Sequence, residues 1–291
     1  MTNNAIIGFT AETFIHSGCG QSQGAIDQPF AREQATNYPY IPGSSLKGAF
    51  KEYARDIWPD IDTSEVNGEK IMDLHATVKA LFGQSDAAGN LLISDLRLLL
   101  LPVRSLSSAY KWVTCPHILE RLKRDLKRAD KSCNFTAEVT YETADSGTTL
   151  FLEELSFKAT GKEIDDNLTE ILKNLCDLVK GDSDAEEVII VSNDDFHWFA
   201  RNALSIQARN TLNDNKSSEN LWYEENLPPD TIMYCLLGDR NTEKQAVKDI
   251  VKKISKDKYL QTGGNETVGM GDPESFEQYG VDETGMGDAK G

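Results

Sequence analysis

Apolar residues along the chain follow two periods, which together predict a mixture of strands and helices. Residues 5–15, AIIGFTAETFI, alternate and are rich in β-branched side chains, the pattern of a strand. Residues 91–102 are almost continuously apolar, as a strand buried on both faces would be. Further strands are expected at 187–192 and 231–237, and around a turn at Asp145-Ser146-Gly147 within 135–157. The helical period appears at 44–57, where Leu46, Phe50, Ala54 and Ile57 share a face behind a serine cap. It recurs at 71–82, 164–179 and 243–256, and at 115–128 with Pro116 in the first turn. Asn193-Asp194-Asp195 caps one more helix, running to about Leu204. Two strand-like arms, SIQARNTL and NLWYEENL, flank the polar turn NDNKSSE and predict a β-hairpin with an exposed tip over about 205–227.

Strands and helices mix here without a βαβα rhythm and without a GxGxxG fingerprint, so the expected class is α+β rather than a doubly wound sheet. No Pro/Gly/Ser linker separates two halves. One domain over 1–271 with long insertions is therefore expected, followed by an acidic, flexible tail at 272–291.

Composition narrows the class of partner. No apolar run approaches the roughly 20 residues that a membrane helix needs, and the first residues, MTNNAIIGF, lack a signal-peptide pattern. A cytoplasmic protein without a membrane partner is expected. Its five cysteines are scattered and include no CxxC pair, which fits reduced thiols. The net charge of −17 argues against a surface broadly covered by nucleic acid. Residues 104–131 run against that average, with Arg104, Lys111, Arg121, Lys123, Arg124, Lys127, Arg128 and Lys131. Any nucleic-acid contact would have to be confined to one face.

The sharpest local feature is Tyr40-Ile41-Pro42-Gly43-Ser44-Ser45-Leu46-Lys47-Gly48-Ala49-Phe50, a tight turn feeding a helix N-terminus. Backbone N–H groups, two hydroxyls and a lysine in the first turn can cradle a phosphate. A capped helix with an incidental lysine is the other reading of the same residues.

IPGSSLKGAF, taken with the glycine-rich GGNETVGMG near the C-terminus, resembles the RAMP superfamily of CRISPR RNA-binding proteins. HSGCGQSQGAIDQPFARE, LLLPVRSLSSAYKWVTCPHILERLKRDL and LWYEENLPPDT narrow the likeness to the backbone subunits of type III-B (Cmr) complexes. The resemblance spans nearly the whole chain up to about Gly271 and implies a ferredoxin-like (RRM-like) palm with an inserted helical region and a protruding β-hairpin thumb. It also implies a function: a repeating subunit that binds guide RNA and cuts complementary target RNA at regular intervals. A non-cutting structural backbone subunit is the alternative, and the aspartate of the Gly-Ala-Ile-Asp motif, Asp27, discriminates between them.

From the same resemblance, Asp27 is the residue on which cutting depends. A carboxylate there can hold a divalent metal ion, magnesium or manganese, or relay a proton; a turn former before Pro29 is its plain reading. His16 and the pair Glu224 and Glu225 are the further catalytic candidates, with a solvated hairpin edge as the bland reading of the pair. Asn226 stands where family members often carry tyrosine. RNA contacts are expected from Ser44, Ser45, Lys47, Lys51, Arg104, Lys111, Arg209 and Lys216, with Gly269 and Gly271 allowing close backbone approach. Implied partners are guide RNA, target RNA, further copies in a helical filament, a large polymerase-like subunit, a small subunit and capping RAMP subunits.

Overall fold

The apolar run near residue 100 lies at the centre of a nine-stranded mixed sheet. The computed structural model describes residues 4–18, 26–66, 69–129, 131, 133–176, 188–213, 215–241, 246–257, 260–262, 273–274 and 278–279. Its main strands are β1 (Asn4–Ala11), β2 (Leu96–Arg104), β3 (Tyr110–Thr114), β4 (Val188–Ile190), β5 (Ser205–Leu212), β6 (Ser218–Asn226) and β7 (Ile232–Asp239). Across the sheet the order is β4-β3-β2-β7-β1, with β4 parallel to β3 and the other neighbours antiparallel. Residues 273–274 and 278–279, from the acidic tail, pair along the outer edge of β1. β5 and β6 form a separate two-stranded hairpin.

Six helices are described: α1 (Gly43–Ile57), α2 (Ala76–Phe82), α3 (Pro116–Arg128), α4 (Asp166–Leu175), α5 (Asn193–Asn202) and α6 (Ala246–Asp257). Leu46, Phe50 and Ala54 of α1 are buried, as the pattern predicts, in one cluster with β1, β2 and β7. Among the described residues no helix is long and apolar enough to cross a membrane.

Several local expectations are corrected. The helix expected over 71–82 begins only at Ala76, because Glu69–Asp73 pairs as a strand with Ile61–Val66 and His75 accepts the Thr77 N–H as the cap. α1 is capped at Pro42 with no side-chain bond, so neither serine is the cap. α5 is capped by Ser192, whose hydroxyl accepts the Asp195 N–H, one residue before the expected Asn193. The apolar run at 91–102 breaks at Ser94 and Asp95 into Leu91–Ile93 and β2.

The basic helix α3 turns part of its charge inward. Arg121, 9% exposed, donates to Glu33 Oε1 at 2.6 Å. Lys123 donates to the Phe135 carbonyl at 2.7 Å and lies over that ring. Asp125 is fully buried and accepts from Arg97, from the Tyr234 hydroxyl at 3.0 Å and from Arg128 at 3.0 Å. Arg124, Lys127 and Arg128 are the exposed basic residues of that helix.

Candidate active site

The hairpin strand β6 has two edges, and both need hydrogen-bond partners where they are buried. One edge pairs with β5, setting Gln207 opposite Glu224 and Ser205 opposite Asn226. Segments 15–18 and 26–32 cover the base of the other. The Leu227 N–H donates to the Ile15 carbonyl at 2.9 Å, and the Ile15 N–H returns a bond at 3.1 Å. Gln28 runs parallel to the strand: its N–H donates to the Tyr223 carbonyl, and its own carbonyl accepts from the Glu225 N–H, both at 3.0 Å. That leaves the Tyr223 N–H and the Glu225 carbonyl on this stretch of edge. Side chains meet both. Asp27 Oδ2 accepts from the Tyr223 N–H at 2.9 Å, and His16 Nδ1 lies 2.9 Å from the Glu225 carbonyl.

His16 and Asp27 therefore occupy ladder positions that backbone groups would otherwise fill. Their partners are two residues apart, roughly 6–7 Å along a strand. A carbonyl only accepts, so His16 Nδ1 carries the proton and Nε2 of the neutral ring keeps its lone pair. The ring is 6% exposed and packs edge-on against Phe30. A Cβ at Gly18 would stand 2.9 Å from Nε2, so a side chain there would crowd that nitrogen. Asp27 is exposed, and its Oδ1 has no hydrogen-bond partner among the described residues.

Glu224 and Glu225 do not lie on a solvated edge; they are 2% and 4% exposed. Glu224 accepts from Trp222 Nε1 at 2.6 Å and from Arg209 Nε at 3.3 Å. Glu225 accepts the Phe30 N–H on Oε2 at 2.9 Å and an Arg32 guanidinium N–H on Oε1 at 2.6 Å. Arg32 also donates to the carbonyls of Asn37 at 3.0 Å and Ala200 at 2.7 Å. The sequence assigned no role to Arg32. Its one local signal is that it is the only lysine or arginine before Lys47.

The RNA-contact candidates lie on different elements. Ser44 and Ser45 are exposed in the first turn of α1, with Lys47 and Lys51 half-buried one and two turns on. The anion cradle there is narrower than expected, because Asp95 Oδ1 already accepts the Gly43 N–H at 2.7 Å. Gly43 permits that approach: a Cβ would lie 2.9 Å from the Ser94 backbone. Arg104 and Lys111 face the far end of the β2–β3 hairpin. Arg104 forks onto both oxygens of Glu153, and that bond holds its pKa above the usual arginine value. Arg209 sits at mid-hairpin on Glu224, and Lys216 lies in the tip with a positive φ of 58°. Gly269 and Gly271 lie outside the described residues.

Among the described residues no three His, Cys, Asp or Glu side chains converge to hold an ion. The donor the site offers is Asp27 Oδ1. Among the described residues this is a single carboxylate oxygen and not a set that encloses an ion.

The family model of the RAMP superfamily matches residues 9–272, and the chain belongs to that superfamily. Within it, the chain is 32% identical over 288 residues to the CRISPR system Cmr endoribonuclease Cmr4 of Pyrococcus furiosus, spanning 91% of this chain and 92% of that protein. The crystal structure of oligomeric Cmr4 from the same organism superposes with a TM-score of 0.68 at 27% identity, covering 96% of this chain and 99% of that one. A chain of a type III-B Cmr-beta complex bound to cognate target RNA shares the fold, with a TM-score of 0.68 at 19% identity over 94% and 96% of the two chains.

Proposed function

We propose that this chain is the repeating backbone subunit of a type III-B CRISPR ribonucleoprotein and cuts target RNA paired to its guide. The likeness to Cmr4 supports the backbone role. One observation carries the cutting role: His16 and Asp27 are bonded to the same hairpin edge, so the reactive groups and the hairpin form one unit. In this reading the central sheet is the RRM-like palm and β5–β6 the thumb. The acidic body leaves RNA to α1, the hairpins and the glycine-rich segment around Gly269 and Gly271, and the complex works in the cytoplasm.

An A-form duplex holds each 2′-hydroxyl out of line with its neighbouring phosphate. A hairpin wedged between guide and target splays nucleotides and allows in-line attack. The 2′-oxygen then bonds to phosphorus as the bond to the 5′-oxygen breaks, leaving a 2′,3′-cyclic phosphate and a 5′-hydroxyl. His16 Nε2 can take the proton from the 2′-hydroxyl or, once protonated, return one to the leaving oxygen. Asp27 is exposed, and its Oδ1 would be turned to the target backbone. A divalent ion, magnesium or manganese, would be held by that oxygen and would neutralise charge developing on the phosphate. Copies along a filament place one such site per subunit, which gives cuts at a fixed interval. Heterologous contacts between copies extend the filament, and the large polymerase-like, small and capping RAMP subunits complete the complex.

The test is Asp27→Asn in the assembled, guide-loaded complex. Asparagine keeps an oxygen for the Tyr223 N–H and removes only the charge. Target affinity should stand while single-turnover cutting falls by roughly 10²–10⁴-fold, and EDTA should stop the unsubstituted complex. Wild-type cutting by Asp27→Asn would take Asp27 out of the reaction and overturn the placement of the cut at this loop.

A further inference from the structure

Arg32 links three parts of the molecule that the cutting reaction needs in register. Its guanidinium reaches the Glu225 carboxylate on the hairpin strand, the Ala200 carbonyl in the last turn of α5, and the Asn37 carbonyl at the end of its own loop. The Arg32 and Glu225 side chains are 11% and 5% exposed, so the pair is shielded from water and salt. Glu225 in turn uses its second oxygen on the Phe30 N–H. Between Phe30 and the hairpin lies the short parallel ladder of Gln28, and next to it Asp27.

We infer that Arg32 and Glu225 form a positioning clamp that holds the Asp27 loop at a fixed register on the hairpin edge, rather than Glu225 acting on RNA itself. The inference rests on the cutting role proposed for Asp27 and adds the means by which hairpin placement sets the cut. Three features support it. Both Glu225 oxygens are engaged by protein donors, so neither is presented to a phosphate or a hydroxyl. Among the described residues, Asp27 and Gln28 meet the hairpin through two backbone bonds of Gln28 and one side-chain bond from the exposed Asp27, so a further constraint is needed to keep the register. A guanidinium presents its donors in a rigid planar fork, and here the fork meets acceptors on three separate segments, a task a lysine ammonium performs poorly. The Ala200 carbonyl near a helix C-terminus is also a favoured partner for a cation.

The clamp makes the loop travel with the hairpin. When the hairpin enters the guide–target duplex, Asp27 is delivered to one phosphate and not its neighbour. Loosening the clamp should therefore affect the rate and the position of cutting, while target affinity, which other surfaces supply, should stand.

Two variants of the assembled, guide-loaded complex test this, with Asp27→Asn beside them. Arg32→Lys keeps a charge for Glu225 and so protects folding. Arg32→Met/Glu225→Gln removes both charges and leaves no buried carboxylate without a partner. Target affinity should remain within about twofold for both. Single-turnover cutting should fall roughly 10-fold in the lysine variant and roughly 100-fold in the double variant, the scale of a misplacement near 1 Å. Product mapping should show cuts spreading to adjacent phosphates, an effect that lost stability alone does not produce. Either variant, once assembled, cutting at the wild-type rate and position overturns the clamp, as does a loss of rate that only tracks lost target binding. If Asp27→Asn itself cuts normally, the cutting role falls first; if Asp27→Asn is inactive and the Arg32 variants are normal, only the clamp falls.

Discussion

Replacing Asp125 tests whether the charge of α3 serves the fold or the RNA. Its carboxylate is fully buried between α3 and the sheet, where it accepts from Arg97 and the Tyr234 hydroxyl on one oxygen and from Arg128 on the other. Asp125→Ala deletes the acceptor for a guanidinium and for a buried hydroxyl together. Breaking a buried pair from one side costs about 3–5 kcal/mol, because the remaining charge loses its compensation. Tyr234→Phe removes one hydrogen bond and leaves the ion pairs, so about 1 kcal/mol is expected. Asp125→Asn should fall between them, since its amide keeps one acceptor but turns a donor toward a guanidinium. Urea unfolding followed by circular dichroism measures all three. With a slope of roughly 2 kcal/mol per molar, the alanine variant should shift the midpoint by about 2 M. An alanine midpoint within about 0.3 M of wild type, or a tyrosine variant worse than the alanine one, would refute the buried hub.

Other expectations follow from single contacts. Lys47→Glu should weaken guide RNA retention and reduce the slope of affinity against salt by about one charge; equal occupancy across salt would leave Lys47 outside the RNA contact. Gly18→Ala places a methyl against His16 Nε2, so cutting should drop roughly 10-fold or more with little change in melting temperature; unchanged cutting would remove Nε2 from the reaction. Cys115 and Cys235 are fully buried, and burial pushes both thiols up. Iodoacetamide at pH 8 should label them only as fast as the protein opens, and rapid labelling of Cys235 in the native protein would contradict its burial.

How far the sequence could be read depended on whether a feature's partners were local. The hairpin at 205–227 and the strand at 231–237 were legible because a period of two is a property of the strand itself. The first turn of α3 was legible because Pro116 suits that position wherever the helix packs. Residues 71–82 misled, since Ile71, Leu74, Val78 and Leu81 mimic a helical face. Pairing with Ile61–Val66 takes the first part as a strand, and no local pattern announces that pairing. The inward charges of α3 were hidden for a like reason. Asp125 looks like any surface acid until Arg97 and Tyr234 arrive from other strands.

The site shows the same limit in sharper form. Asp27 and His16 were reached through family resemblance, because no spacing within the loop marks them. What gives them meaning is a strand that lies 196 residues beyond Asp27 and 209 beyond His16. Strand β6 has one edge claimed by β5, and a buried second edge must find donors and acceptors at every other residue. Backbone from residues 15 and 28 meets most of that demand. The remainder falls to the side chains of His16 and Asp27, and each keeps one atom, Nε2 or Oδ1, outside the ladder. A residue that both completes a sheet edge and retains such an atom is held rigidly and still able to react. That double use explains why substitutions here must be chosen to preserve the ladder bond: Asp27→Asn probes the chemistry, whereas Asp27→Ala also opens the edge on which the loop depends.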